Sequence, residues 1–217
     1  MRKWIFILLV IFMAGGSKPY SYQLALVKYN GGGDWYANPS SLINLAKFAN
    51  ANLNANIDPQ YATVEIGSPN IFNYPFLHLT GHGNIVLSEA EAQNLRQYLL
   101  SGGFLHIDDN YGLDKYIRGE LRKVFPEKKL TALSPNNPLF NQVYPFPDGL
   151  PKIHRHDNKP PEAWGYYIND RLAILYTHES DLGDGWEDPR VHNDPVELHR
   201  KALKMGANIL MYVLNNP

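Results

Sequence analysis

The sequence predicts an α/β protein built on a doubly wound, mainly parallel sheet. Apolar segments of strand length alternate along the chain with segments of helical spacing, and no internal repeat interrupts them. Strands that alternate with helices are typical of a parallel sheet covered by helices on both faces. The chain contains no cysteine, so we expect its stability to come from a hydrophobic core rather than from disulfides. We predict a single domain over residues 17–217.

The strand and helix signals follow one another in a regular order. Ser40 or Ser41 is the expected cap of the first helix, and Ser88 forms a capping box with Glu91 at the start of the second. The proline-rich residues 134–161 are expected to form a long irregular excursion, and such loops are usually functional or disordered. Strands are expected at residues 22–29, 63–66, 76–80, 104–107 and 171–177, and helices at 39–50, 88–100, 113–124 and 195–214.

The first sixteen residues have the pattern of a secretory signal peptide. Arg2 and Lys3 precede an unbroken apolar run over residues 4–13, and the small residues 14–16 follow it. A membrane-spanning helix needs about 20 apolar residues, and this run is roughly half as long. We therefore predict a signal peptide over residues 1–16, cleaved before Ser17, and an exported protein. The alternative is an uncleaved N-terminal anchor, which would be the chain's one contact with a membrane.

The charge of the chain argues against nucleic acid as a partner. Without the two cationic residues of the leader, 18 Lys and Arg stand against 21 Asp and Glu, which gives a net charge of −3. The sequence has no basic stripe and no run of like charges. A nucleic-acid surface and a membrane-surface patch are therefore not expected.

Polar side chains follow four of the predicted strands, at the point where each strand ends. In open parallel sheets, ligands bind outside the carboxyl ends of the strands. We therefore predict a crevice at this edge of the sheet that binds a small polar or carbohydrate-like ligand. The candidate ligand-binding residues are Gly81, His82, Gly83, Asn110, Glu179, Asp181 and Trp186.

Asp108, Asp109 and His178 are the candidate catalytic residues. Side chains alternate along a strand, so the two aspartates point to opposite faces if the strand continues through them. Adjacent carboxylates can bind a hard cation, act as acid and base, or cap the following helix. Capping explains one of the two, and the other is left for function.

The tryptophans and histidines have both a functional and a structural interpretation. The rings of Trp35, Trp164 and Trp186 could support a sugar, but partly buried loop anchors are more common. His154 and His156 could chelate a metal with a distant acid, yet no spacing fixes a partner and no HExxH pair exists. We therefore assign no metal ligand and no cofactor. Four further histidines are interpreted by their positions. His78 and His106 are expected to be hydrogen-bonded core residues, and His192 and His199 to be solvent-facing residues near the last helix.

Four segments in order resemble the bacterial domain of unknown function 4159 family. They are residues 76–83 (FLHLTGHG), 88–103 (SEAEAQNLRQYLLSGG), 104–110 (FLHIDDN), and 181–183 (DLG) with 186–187 (WE). The likeness covers most of the chain after the leader. The family resembles a branch of the class I glutamine amidotransferase-like superfamily, which implies a flavodoxin-like sheet. The resemblance implies no reaction, because its members have no settled activity.

The comparison with amidotransferases excludes their chemistry. In that superfamily a nucleophilic cysteine follows the strand that here ends at Ile107, and Asp108 and Asp109 stand in its place. Without any cysteine a thiolate acyl-enzyme is impossible. Residues 178–179 resemble the superfamily's His-Pro-Glu segment, but they lack a nucleophile to serve. No GxSxG elbow exists for a serine triad either.

Three classes of function remain. The first is a binding protein that keeps the crevice and has no catalysis. The second is a noncovalent, hydrolase-type enzyme that uses Asp108 or Asp109, with or without a metal. The third is an interaction protein of the cell envelope, whose proline-rich excursion contacts a partner. We expect the binding protein, in the periplasm, because no complete catalytic constellation can be assembled from the sequence.

Overall fold

The computed structural model describes residues 20–216 and contains one sheet flanked by helices. The predicted signal peptide, residues 1–16, lies outside the described residues. No helix within residues 20–216 is long and apolar enough to cross a membrane. The strands are β1 (Tyr22–Lys28), β2 (Ile57–Glu65), β3 (Phe76–His82), β4 (Phe104–Tyr111), β5 (Thr131–Ala132), β6 (Glu162–Ile168) and β7 (Arg171–His178). The helices are α1 (Ser41–Leu53), α2 (Glu89–Leu100), α3 (Asp114–Val124), α4 (Leu182–Trp186), α5 (Pro189–His192) and α6 (Val196–Asn215), with 3₁₀ turns at Pro69–Asn73 and Pro138–Asn141.

The seven strands lie in the order β2-β1-β3-β4-β7-β6-β5. The first five are parallel to one another, and β6 and β5 extend the sheet in antiparallel pairing. If β7 is counted as the fifth parallel strand, the order 2-1-3-4-5 is that of flavodoxin-like folds. The predicted fold class, a doubly wound and mainly parallel sheet, is confirmed.

Side-chain alternation along the central strand β4 divides the core into two layers. Leu105 and Ile107 pack in the layer under α2 and α3, whereas Phe104 packs in the layer under α1 and α6. Parallel strands that are covered on both faces have nearly continuous apolar sequences. This pattern predicted β4. The same alternation decides which way the acids at the end of β4 point.

Several local expectations differ from the structure. Strand β6 was not expected, although Asn169 and Asp170, both with positive φ, form the two-residue turn that joins it to β7 and is typical of a hairpin. Strand β4 does not end at Ile107 but continues through the two aspartates. The hydroxyl of Ser40 makes no capping bond to α1 and instead donates to Glu187 Oε1 at 3.0 Å. The capping box at the start of α2 is confirmed.

Shortening a buried side chain on β4 should destabilise the protein, because this strand has neighbouring strands on both sides. Leu105 is buried, so Leu105→Ala should lower the free energy of unfolding by about 2–5 kcal/mol. Leu100→Ala removes the same atoms from a half-exposed position at the end of α2 and should change it by less than about 0.5 kcal/mol. Urea denaturation of both variants measures the difference. Equal effects would show that β4 is not central.

Candidate functional site

Asp109 caps helix α3. Its Oδ1 accepts hydrogen bonds from the backbone N–H groups of Tyr111 at 3.0 Å and Leu113 at 2.8 Å, and its Oδ2 accepts one from Asp114 at 3.0 Å. A carboxylate that receives the free N–H groups at a helix N-terminus is stabilised by those donors and by the helix dipole. Both oxygens of Asp109 are therefore engaged in holding the helix.

Asp108 points to the opposite face of the sheet and is sealed from solvent. Thr177 donates to its Oδ1 at 2.5 Å, and the backbone N–H of Gly183 donates to its Oδ2 at 2.6 Å. Burial raises the pKa of Asp108 to about 7, against the lowering effect of these two hydrogen bonds. The predicted division of the pair between the two faces is confirmed by these contacts.

The hydrogen bonds of Asp108 continue into the core through two histidines. Nε2 of His106 lies 3.0 Å from the Thr177 hydroxyl, and Nδ1 of His106 lies 3.1 Å from Nδ1 of His78. Burial lowers the pKa of both rings, that of His78 to about 3, so both are neutral. The expectation of hydrogen-bonded core histidines is confirmed for His106. It is confirmed for His78 only at Nδ1, because Nε2 of His78 is the one buried side-chain nitrogen or oxygen without a partner in residues 20–216.

Gly183 lets α4 approach the end of β4 closely. A Cβ atom at this position would lie 3.1 Å from Oδ2 of Asp108. Beside it, the Asn110 amide donates to Asn38 at 2.6 Å, and the Asn38 amide donates to Asp184 at 2.5 Å. Asn110, a predicted ligand-binding residue, is completely buried in this network.

A pocket of about 260 Å³ opens beside the carboxyl ends of β4 and β7. His178 lies partly exposed in it, with Nε2 3.8 Å from Oδ2 of Asp109 and 3.8 Å from Oε1 of Glu179. Four of its lining residues come from the sequence-based candidates. The full lining is Asp109, Tyr111, Gly112, Asp114, Lys115, His156, Lys159, His178, Glu179 and Asp181.

The acids of this pocket are matched by basic side chains from the irregular excursion. Lys152 donates to Glu179 at 2.7 Å, and Nε2 of His156 lies 2.5 Å from Oδ2 of Asp181. The pKa of Asp181 is raised to about 9 by burial and by the charges of Asp108 and Asp184.

Backbone strain is concentrated at the same pocket. Tyr111, Glu179 and Asp181 have φ values of 149°, 57° and 60°. Within residues 20–216, Tyr111 and Glu179 are the only positive-φ residues other than glycine, asparagine and aspartate. A tyrosine or glutamate in this region costs about 1–3 kcal/mol, and such residues cluster at functional sites.

The remaining predicted residues lie outside this pocket. His82 pairs with Asp34, with Nδ1 and Oδ2 3.0 Å apart, and is not among the lining residues. Gly81 allows a close backbone approach, since a Cβ there would lie 2.4 Å from the Tyr29 hydroxyl. Gly83 faces open space. The ring of Trp186 is fully buried and offers no face to a ligand in solvent.

A comparison with family models identifies the chain. The model of a domain of unknown function, DUF4159, matches residues 23–214. The chain belongs to the DUF4159 family. The resemblance seen in the sequence is therefore confirmed. A comparison of this DUF4159 domain with curated proteins gives no match.

Two groups of side chains in the DUF4159 domain could hold a metal ion. One combines Asp109, Asp114 and His178 in the pocket, and the other combines His154, Asp184 and His192. In the first group, Asp109 already caps α3 and Asp114 already accepts from Arg118 and the Tyr176 hydroxyl. The sequence predicts a solvent-facing His192 and no partner for His154, because the two lie 38 positions apart and no regular element fixes their distance.

The two aspartates of the DUF4159 domain should respond differently to the same change. Asp109→Asn replaces an acceptor oxygen with an NH₂ group that faces backbone donors, so it should cost about 1–3 kcal/mol. Asp108→Asn can still accept from Gly183 and donate to Thr177. The wild-type carboxyl group must ionise in its buried place as the pH rises from about 4, its ordinary pKa, to about 7, and stability is lost over that window.

Asp108→Asn should therefore gain stability relative to wild type between pH 4 and pH 8, as measured by urea denaturation at both values. Loss of the Asp108 charge also removes one cause of the raised pKa of Asp181, so both effects contribute to the gain at the higher pH. A neutral Asp109→Asn, or an Asp108→Asn variant equally destabilised at both pH values, would contradict these roles.

Proposed function

We propose that the protein binds a small, hydroxylated, carbohydrate-like ligand in the pocket beside the ends of β4 and β7. The observation that carries this proposal is the strain at Tyr111 and Glu179. Among the described residues, they are the two with positive φ that are not glycine, asparagine or aspartate, and both line this pocket. Strain of this kind persists only where surrounding contacts enforce it. At a binding site, such strain fixes the positions of side chains.

The side chains around the pocket support a polar and hydroxylated ligand. The Tyr111 ring is about half exposed and packs beside His156 with ring centroids 4.8 Å apart, which leaves an aromatic face at the rim. Aromatic rings with one wet edge suit ligands that have both apolar and polar sides. The ion pair of Lys152 with Glu179 and the hydrogen bond between His156 and Asp181 supply both donors and acceptors without a large net charge.

The positions of the two aspartates favour binding over hydrolysis. A general acid or base must come within hydrogen-bond reach of the substrate. Asp108 is sealed beneath Gly183, and both oxygens of Asp109 are occupied by the first turn of α3. Neither carboxylate is free to take part in proton transfer, so a binding protein fits the geometry better than an enzyme that depends on this pair.

Tyr111→Gly should separate ligand binding from stability. It removes the rim ring but also relieves about 1–3 kcal/mol of strain, against about 1 kcal/mol for the added freedom of glycine in the unfolded chain. We expect unchanged or higher thermal stability together with at least tenfold weaker binding of the sugar that binds wild type best. The probes are glucose, galactose, glucuronate and N-acetylglucosamine. The binding of each sugar is measured by saturation-transfer NMR.

The matched control is Tyr36→Gly. Tyr36 is also an exposed tyrosine with one ring contact, to Trp35 at 5.4 Å, but it is not among the positive-φ residues. This variant should bind the sugars as wild type does and be slightly less stable. If no probe binds wild type at millimolar concentration, or if Tyr111→Gly binds unchanged, the pocket is not a sugar site.

We also propose that the protein is exported and that residues 1–16 are removed. The support is the sequence alone: a charged start, a short apolar run and small residues at 14–16. Mass spectrometry of the protein from its native envelope should find a mature chain that begins at Ser17. Gly16→Leu places a large residue at the cleavage site and should leave the leader attached. A wild-type chain that still begins at Met1 in the membrane fraction would show an anchor instead.

A further inference from the structure

We propose that His154, Asp184 and His192 form a binding site for a divalent transition-metal ion, with Zn²⁺ as the best-suited ion. The three ligand atoms come from the irregular excursion, from α4 and from α5, and all lie within 4.8 Å of one another. Two imidazoles and one carboxylate are a common ligand set for zinc and iron in proteins. The proposal does not depend on the sugar pocket.

The distances around Asp184 suit a shared metal ion better than hydrogen bonds. Oδ2 of Asp184 lies 3.6 Å from Nδ1 of His154 and 3.8 Å from Nε2 of His192, which is too long for hydrogen bonds. Two ligands bound tetrahedrally to zinc at 2.0–2.1 Å lie about 3.3 Å apart. Closing the three atoms, which lie within 4.8 Å of one another, to this spacing would place them around a common ion.

The second layer of contacts orients both kinds of ligand. Nε2 of His154 lies 2.9 Å from Oδ1 of Asp194, so a ring that binds a metal through Nδ1 would donate its Nε2 proton to that carboxylate. Asn38 donates to Oδ1 of Asp184 and leaves Oδ2 facing the two rings. A carboxylate behind a ligating histidine and a hydrogen bond to the ligating carboxylate are typical of metal sites.

The charge at this place also favours a cation, because the ion-pair partners of the buried acids are the rings of His154 and His192. Asp184, Glu187 and Asp194 are all more than nine-tenths buried as side chains, and in the described part of the chain no Lys or Arg pairs with any of them. Buried charges are normally paired or bound to metals. Oε2 of Glu187, 3.3 Å from Nε2 of His192, is placed to act as a fourth ligand, and Oδ2 of Asp181 lies 3.7 Å from Nδ1 of His154.

The test is zinc binding to the full chain after treatment with EDTA, measured by calorimetry and by elemental analysis of the dialysed protein. Wild type should bind one Zn²⁺ per chain with micromolar or tighter affinity and should unfold at a higher temperature with zinc. Mg²⁺ and Ca²⁺ should not compete, because they prefer sites made of oxygen ligands alone. His192→Gln should weaken binding at least tenfold, and it should fold because α5 contains no buried residue.

Two further variants keep the proposal open to refutation. Asp194→Ala retains all three ligands but removes the acceptor behind His154, so it should weaken binding about 10–100-fold. His199→Gln is the matched control, since the His199 ring bonds to the Gly185 carbonyl at 3.0 Å and is not one of the proposed ligands, and it should bind as wild type does. The proposal is overturned if wild type retains no zinc, if His192→Gln binds unchanged, or if His178→Gln, in the pocket cluster, weakens binding as much as His192→Gln does.

Discussion

The two aspartates at the end of β4 receive backbone N–H groups from two different helices, and they do so on opposite faces of the sheet. Asp109 accepts hydrogen bonds from backbone N–H groups at the start of α3, while Asp108 accepts one from Gly183 at the start of α4. Alternation of side chains along the strand makes this division unavoidable once β4 continues through both residues. The central strand thereby fixes a helix on each side at the edge where the pocket opens.

The position of α4 in turn determines where the excursion can lie. The Ile153 N–H donates to the Ser180 carbonyl at 2.8 Å, and the Ser180 hydroxyl donates to the Pro151 carbonyl at 2.6 Å. A Cβ at Gly185 would lie 2.7 Å from Ile153, so the two segments approach as closely as backbone allows. These contacts bring residues 152–156 to the ends of β4 and β7, where they complete the pocket on one side and the histidine cluster on the other.

Sequence patterns predicted the fold and some of the residues at the pocket, for a physical reason. Apolar periodicity and capping residues act over a few positions, so β4, the box at Ser88 and the final helix could be read directly. Whether Asp108 or Asp109 caps α3 depends on where β4 ends. No local sequence pattern predicts that position. The partners of His154 lie in other irregular segments whose approach depends on tertiary packing. Glu179 and Asp181 could be found as candidates only because they follow a strand.

The hydrogen-bonded chain through Thr177 has a consequence for the histidines of the core. A hydroxyl has one proton, so when Asp108 is ionised Thr177 donates to it and must accept from Nε2 of His106. Nδ1 of His106 is then an acceptor, which obliges His78 to carry its own proton on Nδ1 and leaves its Nε2 as a bare lone pair. The tautomer of an imidazole on β3 is thus set by the ionisation of a carboxylate on β4, through a hydroxyl on β7.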